Sequence, residues 1–342
     1  MNNISYDLIE TDLQCEAFEN LLNCSFPVKK NTSFFDDFPI WKGNHHFPLF
    51  KVGAFDKGQL VSCAAIVLRE LKIGYSRVKV AVIGAVATDS NYRGQGLASH
   101  CVQFLQKYAD DHQVGVIFLW GSEHGMYNKL GFDLCGLQFR VPLNKALNPE
   151  KSYIKDENWN DQIIELMKSR KSGFEIGIGN EQWLQSHKNV NWWVAKKEET
   201  VCGFIAFDRG IDLQNIVHEW GGDPDAIAFL LNELSQIRLE SQIIGNREEL
   251  ESLQISLSQG IEEYICMAQV LDPGPLVSAI SKGEKKIEIQ KQGDQWIFKL
   301  ADQELRIDPF HLSQIIFGPT SYKELKDTPL PFSLWAWGLD AG

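Results

Sequence analysis

"NYRGQGLASH" (Asn91–His100) decides the reading of this chain. It holds one basic residue, two glycines two apart, and a run that opens a helix. The preceding stretch, "RVKVAVIGAVAT", is apolar and Val-rich, as a strand would be. The following stretch, "GLASHCVQFLQKYADDH", places Leu97, Cys101, Phe104, Leu105 and Tyr108 on one helical face. The first turn of a helix carries free N–H groups and a partial positive charge. Glycines let the backbone approach an anion closely, and Arg93 adds a formal charge. A pyrophosphate suits such a turn, although ligand-free glycine-rich helix starts are also common.

Two familiar phosphate motifs do not fit. A P-loop ends in Gly-Lys-Ser/Thr, and no such run follows the glycines. A dinucleotide fingerprint needs a third glycine where Ser99 stands, and an acid at the end of the next strand. Asp110 and Asp111 lie at the end of the helix instead.

Outward from the turn, the pattern is that of an α/β domain over residues 1–145. "TDLQCEAFENLLNCSF" has helical spacing with Thr11 or Asp12 as N-cap. "NTSFFDDFPIWKGNHHFP" has no period and reads as a loop with helical turns. Two β-rich runs flank Asp56-Lys57-Gly58, a hairpin signal. "VGVIFLWG" fits a strand buried on both faces. "GMYNKLGF" reads as a short helix ended by Gly131, and "LCGLQFRVPL" as a further strand.

The middle of the chain echoes this order. "WWVAKKEETVCGFIAFD" and "NIVHEWGGDPDAIAFLLNELSQI" repeat the hairpin, strand, turn and helix at a one-domain period. The repeated turn is Gly221-Gly222-Asp223-Pro224-Asp225, with two carboxylates where an anion would sit. A phosphate is therefore expected in the first copy only. The last segment offers a hairpin around Gly293-Asp294, a capped helix in "DPFHLSQIIFG", and a Trp-rich terminus too apolar to be a free tail.

Composition bounds the function. The chain has 342 residues, 44% hydrophobic and 23% charged, with a net charge of -12. Two or three domains are expected, and a nucleic-acid partner is not. The acidic balance would tolerate a cationic substrate. Seven scattered cysteines without a C-x-x-C suggest neither disulfides nor zinc. The N-terminus lacks the features of a signal peptide, and no apolar run reaches the roughly 20 residues of a membrane span. A soluble cytoplasmic protein with no membrane partner is the expectation. No carboxylate pair completes a metal site with His45-His46, so no metal is expected.

R-x-x-G-x-A (Arg93 to Ala98), preceded by "VATDSNY" and followed by "MYNKLGF", resembles the GCN5-related N-acetyltransferase (GNAT) superfamily. The resemblance implies that Arg93, Gly94, Gln95, Gly96, Leu97, Ala98 and Ser99 hold the pyrophosphate of coenzyme A. It implies that Val86, Ala87 and Thr88 hydrogen-bond the pantetheine arm, where this strand and the next splay apart. Tyr127 would be the general acid for the departing thiolate. Ser90 stands where many members carry Pro.

Nearly the whole chain resembles the enhanced-intracellular-survival type of that superfamily, with the specific motifs confined to the first domain. The expected fold class is α/β (α+β) multidomain: two tandem GNAT-like mixed-sheet domains plus a small C-terminal α+β sterol-carrier-like domain. The divisions implied are 1–146 catalytic, 147–262 degenerate GNAT-like and 263–342 sterol-carrier-like. Ser122 and Tyr127 match the active-site spacing, and the terminal carboxylate, here that of Gly342, would serve as base. The ending "WGLDAG" departs from the acidic–aromatic ending of the aminoglycoside-modifying members. A homo-oligomer is also implied.

The expected function is therefore direct transfer of acetyl from acetyl-CoA, the co-substrate, to a primary amine of a small molecule or peptide. A non-catalytic acyl-CoA sensor is the alternative. Glu123 and His124 are further candidates for the base. Phe34, Phe35, Phe38 and Trp41, with Asp36 and Asp37, offer aromatic walls and acids for a cationic, partly apolar acceptor, or else a loop anchored by its aromatics. His45 and His46 would line the substrate mouth or lie exposed.

Overall fold

The hairpin around Lys57 joins β2 (Leu49–Asp56) to β3 (Gln59–Ile73) after a short β1 (Ile4–Leu8), which the sequence pattern did not announce. The computed structural model describes residues 4–43, 45–143, 152–177, 179–281, 287–300 and 303–340. β4 (Ser76–Thr88), β5 (Val116–Leu119) and β6 (Asp133–Pro142) complete the first half. The second half holds β7 (Ile154–Asp156), β8 (Ser172–Phe174), β9 (Asn191–Lys197), β10 (Thr200–Phe207), β11 (Ile216–Gly222), β12 (Gln242–Gly245) and β13 (Ile261–Val270).

These strands form one sheet in the order β1-β2-β3-β4-β5-β13-β6-β12-β11-β10-β9-β7, with β8 on β3. The halves exchange their last strands. β13 pairs antiparallel with β5, β6 pairs antiparallel with β12, and β13 and β6 pair with each other at the seam. The expected division at 262/263 falls inside β13, and that at 146/147 lies outside the described residues.

Helix Leu97–Asp111 packs on the outer face of the first half, burying Leu97, Cys101, Val102, Leu105 and Ala109. The buried face is rotated from the expected one: Phe104 is 45% exposed, and Tyr108 lies half-buried against Phe50. Helix Asp12–Ser25 starts at Thr11, whose hydroxyl accepts from Gln14 N–H in a capping box. No described helix is long and apolar enough to cross a membrane.

Beyond β13, a three-stranded sheet of β14 (Glu288–Gln292), β15 (Gln295–Leu300) and β16 (Gln303–Ile307) stands apart from the large sheet. The Trp-rich terminus is buried, as its composition requires. Leu334, Trp335, Trp337 and Leu339 pack into the molecule, with Trp220 of β11 4.8 Å from Trp337 between ring centroids. β11 pairs with β12 only at Ile216 and Val217. The terminal segment packs against β11, where Leu339 N–H donates to the Glu219 carboxylate.

Candidate active site

β4 and β5 run parallel and pair only from Val80–Ile83 to Val116–Leu119. β4 continues to Thr88, so its edge is open from Gly84 onward. The register against β3 shifts between Cys63/Ala87 and Ala65/Gly84, leaving one extra residue on β4. Ala85 takes φ 52° there. Such a bulge re-aims the strand. The parted strands open a cavity of about 1000 Å³.

The glycine turn closes one end of the cavity. Gly94 and Gly96 have φ of 78° and 76°, a conformation L side chains rarely adopt, and a Cβ on Gly94 would meet nothing within 4 Å. These glycines serve the turn's shape and leave room for a ligand. Gly96 is the helix N-cap without a side-chain hydrogen bond, so the first-turn N–H groups have no capping side chain. Arg93 is exposed beside them, its Nε donating weakly to Thr88 O at 3.4 Å.

Of the expected cofactor residues, Val86, Ala87, Thr88, Arg93, Gly94, Gly96, Leu97, Ala98 and Ser99 line this one cavity. Gln95 is exposed and does not line it. Ser122 and Tyr127 line its middle. Gly342 lies outside the described residues.

Tyr127 is 6% exposed on the short helix His124–Asn128. Burial, helped by nearby Glu123, pushes its hydroxyl up to about 12. A Cβ on Gly121 would lie 2.9 Å from the tyrosine ring, so the strand end must be glycine for the ring to sit there. Glu123 lines the cavity and is exposed, whereas His124 is exposed and does not line it. His45 and His46 line no part of it. His45 hydrogen-bonds Ile40 O, and His46 N–H donates to Asn180.

The "SFFDDFPIW" stretch divides by residue. Phe34 and Phe38 line the cavity, while Phe35 and Trp41 are core. The two acids turn away. Asp36 accepts from Ser33 N–H and pairs with Lys188 at 2.6 Å, and buried Asp37 accepts from Asn189 at 2.5 Å. They anchor the loop to the second half.

The far wall, which sequence patterns did not reveal, comes from the second half and the chain's terminal segment. Arg209, Asp212, Leu213, Ala336 and Gly338 line it. Arg209 pairs with Asp212, donates to Gly338 O, and lies over the Phe38 ring at 4.6 Å. Only the loop position of Arg209–Asp212 after an echoed hairpin could have hinted at this.

The turn at Gly221–Asp225 is closed by nearby side chains. Asp223 caps the helix by accepting from Asp225 N–H, and the Tyr153 hydroxyl lies within hydrogen-bond reach of both the Asp223 and Asp225 carboxylates, at 3.2 and 3.3 Å. No cluster of three or more metal-ligating side chains occurs among the described residues.

Residues 11–135, the stretch that carries the cavity's glycine turn and Tyr127, match the family model of the acetyltransferase (GNAT) domain. Solved structures share the fold well beyond that half. A GCN5-related N-acetyltransferase from Anabaena variabilis is 14% identical, with 90% of this chain and 85% of that one covered at TM-score 0.65. A conserved protein of unknown function from Enterococcus faecalis gives 14% identity, 95% and 92% coverage, and TM-score 0.70. Eis1 from Mycobacterium abscessus gives 13% identity, 96% and 92% coverage, and TM-score 0.63. No curated protein matches the sequence.

Proposed function

We propose that the chain is an N-acyltransferase that moves acetyl from acetyl-CoA directly to a primary amine of a small molecule or peptide. One observation carries the reading: a single cavity joins the first turn of helix Leu97–Asp111, which no side chain caps, to Tyr127. Arg93, Gly94, Gly96 and the N–H groups of Leu97 to Ser99 would hold the pyrophosphate. The open edge of β4 at Val86 to Thr88 would bind the pantetheine arm and polarise the thioester carbonyl.

The acceptor amine enters along the far wall and loses a proton to Glu123, directly or through water. Its nitrogen bonds to the carbonyl carbon as the C–S bond breaks, and the nitrogen's second proton leaves to solvent. Tyr127 then gives its proton to the sulfur. A tyrosine raised to about 12 keeps that proton until it is needed.

We further propose that residues 1–146 and 147–262 are duplicated GNAT-like domains, of which only the first binds coenzyme A, followed by a sterol-carrier-like part at 263–342. Tyr153 and its two aspartates support this asymmetry. The test is calorimetry with coenzyme A, then thiol release with an amine panel. One molecule bound per chain and amine-dependent thiol release are expected. No binding ends the proposal.

A further inference from the structure

We infer, resting on the reading just given, that the acceptor is an amine carried on an uncharged aromatic or aliphatic body and not a polycation. The chain's net charge of -12 points the other way, so the decision lies in the cavity itself. The acids among its described lining residues are Glu123 and Asp212, and the cations are Arg93, Lys129 and Arg209. The cavity does not share the acidity of the surface.

Asp212 is already neutralised by its pair with Arg209. The two acids of the neighbouring loop are held elsewhere, Asp36 by Lys188 and Asp37 by Asn189. This leaves Glu123 to meet one ammonium group. A second or third ammonium would be buried without a carboxylate, which is costly.

The cavity is lined instead for apolar contact, by Phe26, Phe34, Phe38, Leu213, Ile244 and Ile265. Phe34 stacks on Phe38 at 4.8 Å and meets Phe26 at 4.9 Å between centroids. Aromatic faces attract cations, but Arg209 already lies over Phe38. The wall therefore suits a flat or branched hydrocarbon body behind a single amine.

The experiment uses the full chain with acetyl-CoA and reads thiol release with phenethylamine, spermidine and kanamycin. The expected kcat/KM is at least about tenfold higher for phenethylamine than for either polycation, since one lost charge pairing or apolar contact is worth about that factor. Phe34→Leu and, separately, Leu213→Ala should raise KM for phenethylamine several-fold and leave that for spermidine unchanged, with melting curves confirming that each variant folds. Spermidine or kanamycin used as well as phenethylamine overturns the inference. So does coenzyme A binding without acetylation of phenethylamine. Failure to bind coenzyme A instead overturns the function on which the inference rests.

Discussion

The Arg69 guanidinium donates to the Asp340 carboxylate across 3.2 Å and 271 positions of sequence. The Arg69 side chain is 0% exposed and that of Asp340 10%. Nearby, Arg170 pairs with Glu219 at 2.7 Å, and Glu219 accepts from Leu339 N–H. The terminal segment is thus clamped to both halves by buried charge. Asp340→Ala should cost about 3–5 kcal/mol, because it strands the buried guanidinium. The double variant Arg69→Met/Asp340→Leu should lose less than that single change. Urea denaturation of the three proteins checks the order, and a double variant weaker than Asp340→Ala contradicts it.

Arg93→Ala should weaken coenzyme A about tenfold, the worth of one charge-assisted contact of about 1.4 kcal/mol. Gly96→Ala should weaken it too and also destabilise the turn by about 1 kcal/mol, since φ is 76° there. Titration calorimetry reads both. An unchanged dissociation constant for Arg93→Ala would remove the pyrophosphate from this turn.

Tyr127→Phe should lower kcat by about 10²-fold or more while coenzyme A affinity stays nearly constant. Gly121→Ala should act in the same direction without touching the hydroxyl, because its Cβ would press the ring from 2.9 Å. Steady-state rates paired with binding constants separate the two effects. A Tyr127→Phe enzyme with full kcat would assign the proton to another group.

The pH profile follows from the burial of Tyr127. A tyrosine raised to about 12 remains protonated, and so remains an acid, throughout the range where an ordinary tyrosine would lose its proton near 10. The rate at saturating substrates should therefore hold level between about pH 8.5 and 10.5. A fall centred near 10 in stopped-assay kinetics would show an unshifted hydroxyl.

Acid should destabilise the fold through two histidines. Burial pushes His187 down to about 3 and His218 down to about 4. Both are neutral in the folded chain and take up protons at their ordinary value of 6.5 when unfolded. Their contribution is complete above 6.5 and is lost as pH falls from 6.5 towards 4. Glu219, raised to about 7 mainly by burial, works oppositely and costs stability as pH rises from 4.5 to 7. The Glu219→Gln variant removes that opposition. Its melting temperature should drop more steeply between pH 6.5 and 4.5 than that of the unsubstituted chain, and equal slopes would contradict the assignment.

What the sequence made legible was local. The turn from Arg93 to Ser99 is written in two glycines and a helix start, and Tyr127 in the seven-residue motif "MYNKLGF". The hairpins declare themselves by alternation and by Lys57-Gly58. What stayed hidden was pairing at a distance. Nothing in "IEEYICMAQV" says that it will lie between β5 and β6, since an apolar strand is compatible with many neighbours. Asp36 and Asp37 look like ligand-binding acids beside three phenylalanines, yet their partners, Lys188 and Asn189, stand some 150 residues away. Arg209 and Asp212 carry no motif, because acceptor walls are assembled from loops.

The exchange of β6 and β13 bears on how the protein is made. β5 acquires its neighbour only when residues 261–270 have emerged from the ribosome, and chains emerge N-terminal end first. Until then Val116 to Leu119 present an apolar, unpaired edge of the kind that recruits other chains. The first half is therefore expected to wait, incomplete, for most of the polypeptide, and a gene fragment encoding that half alone would yield an adhesive intermediate in place of a small folded domain.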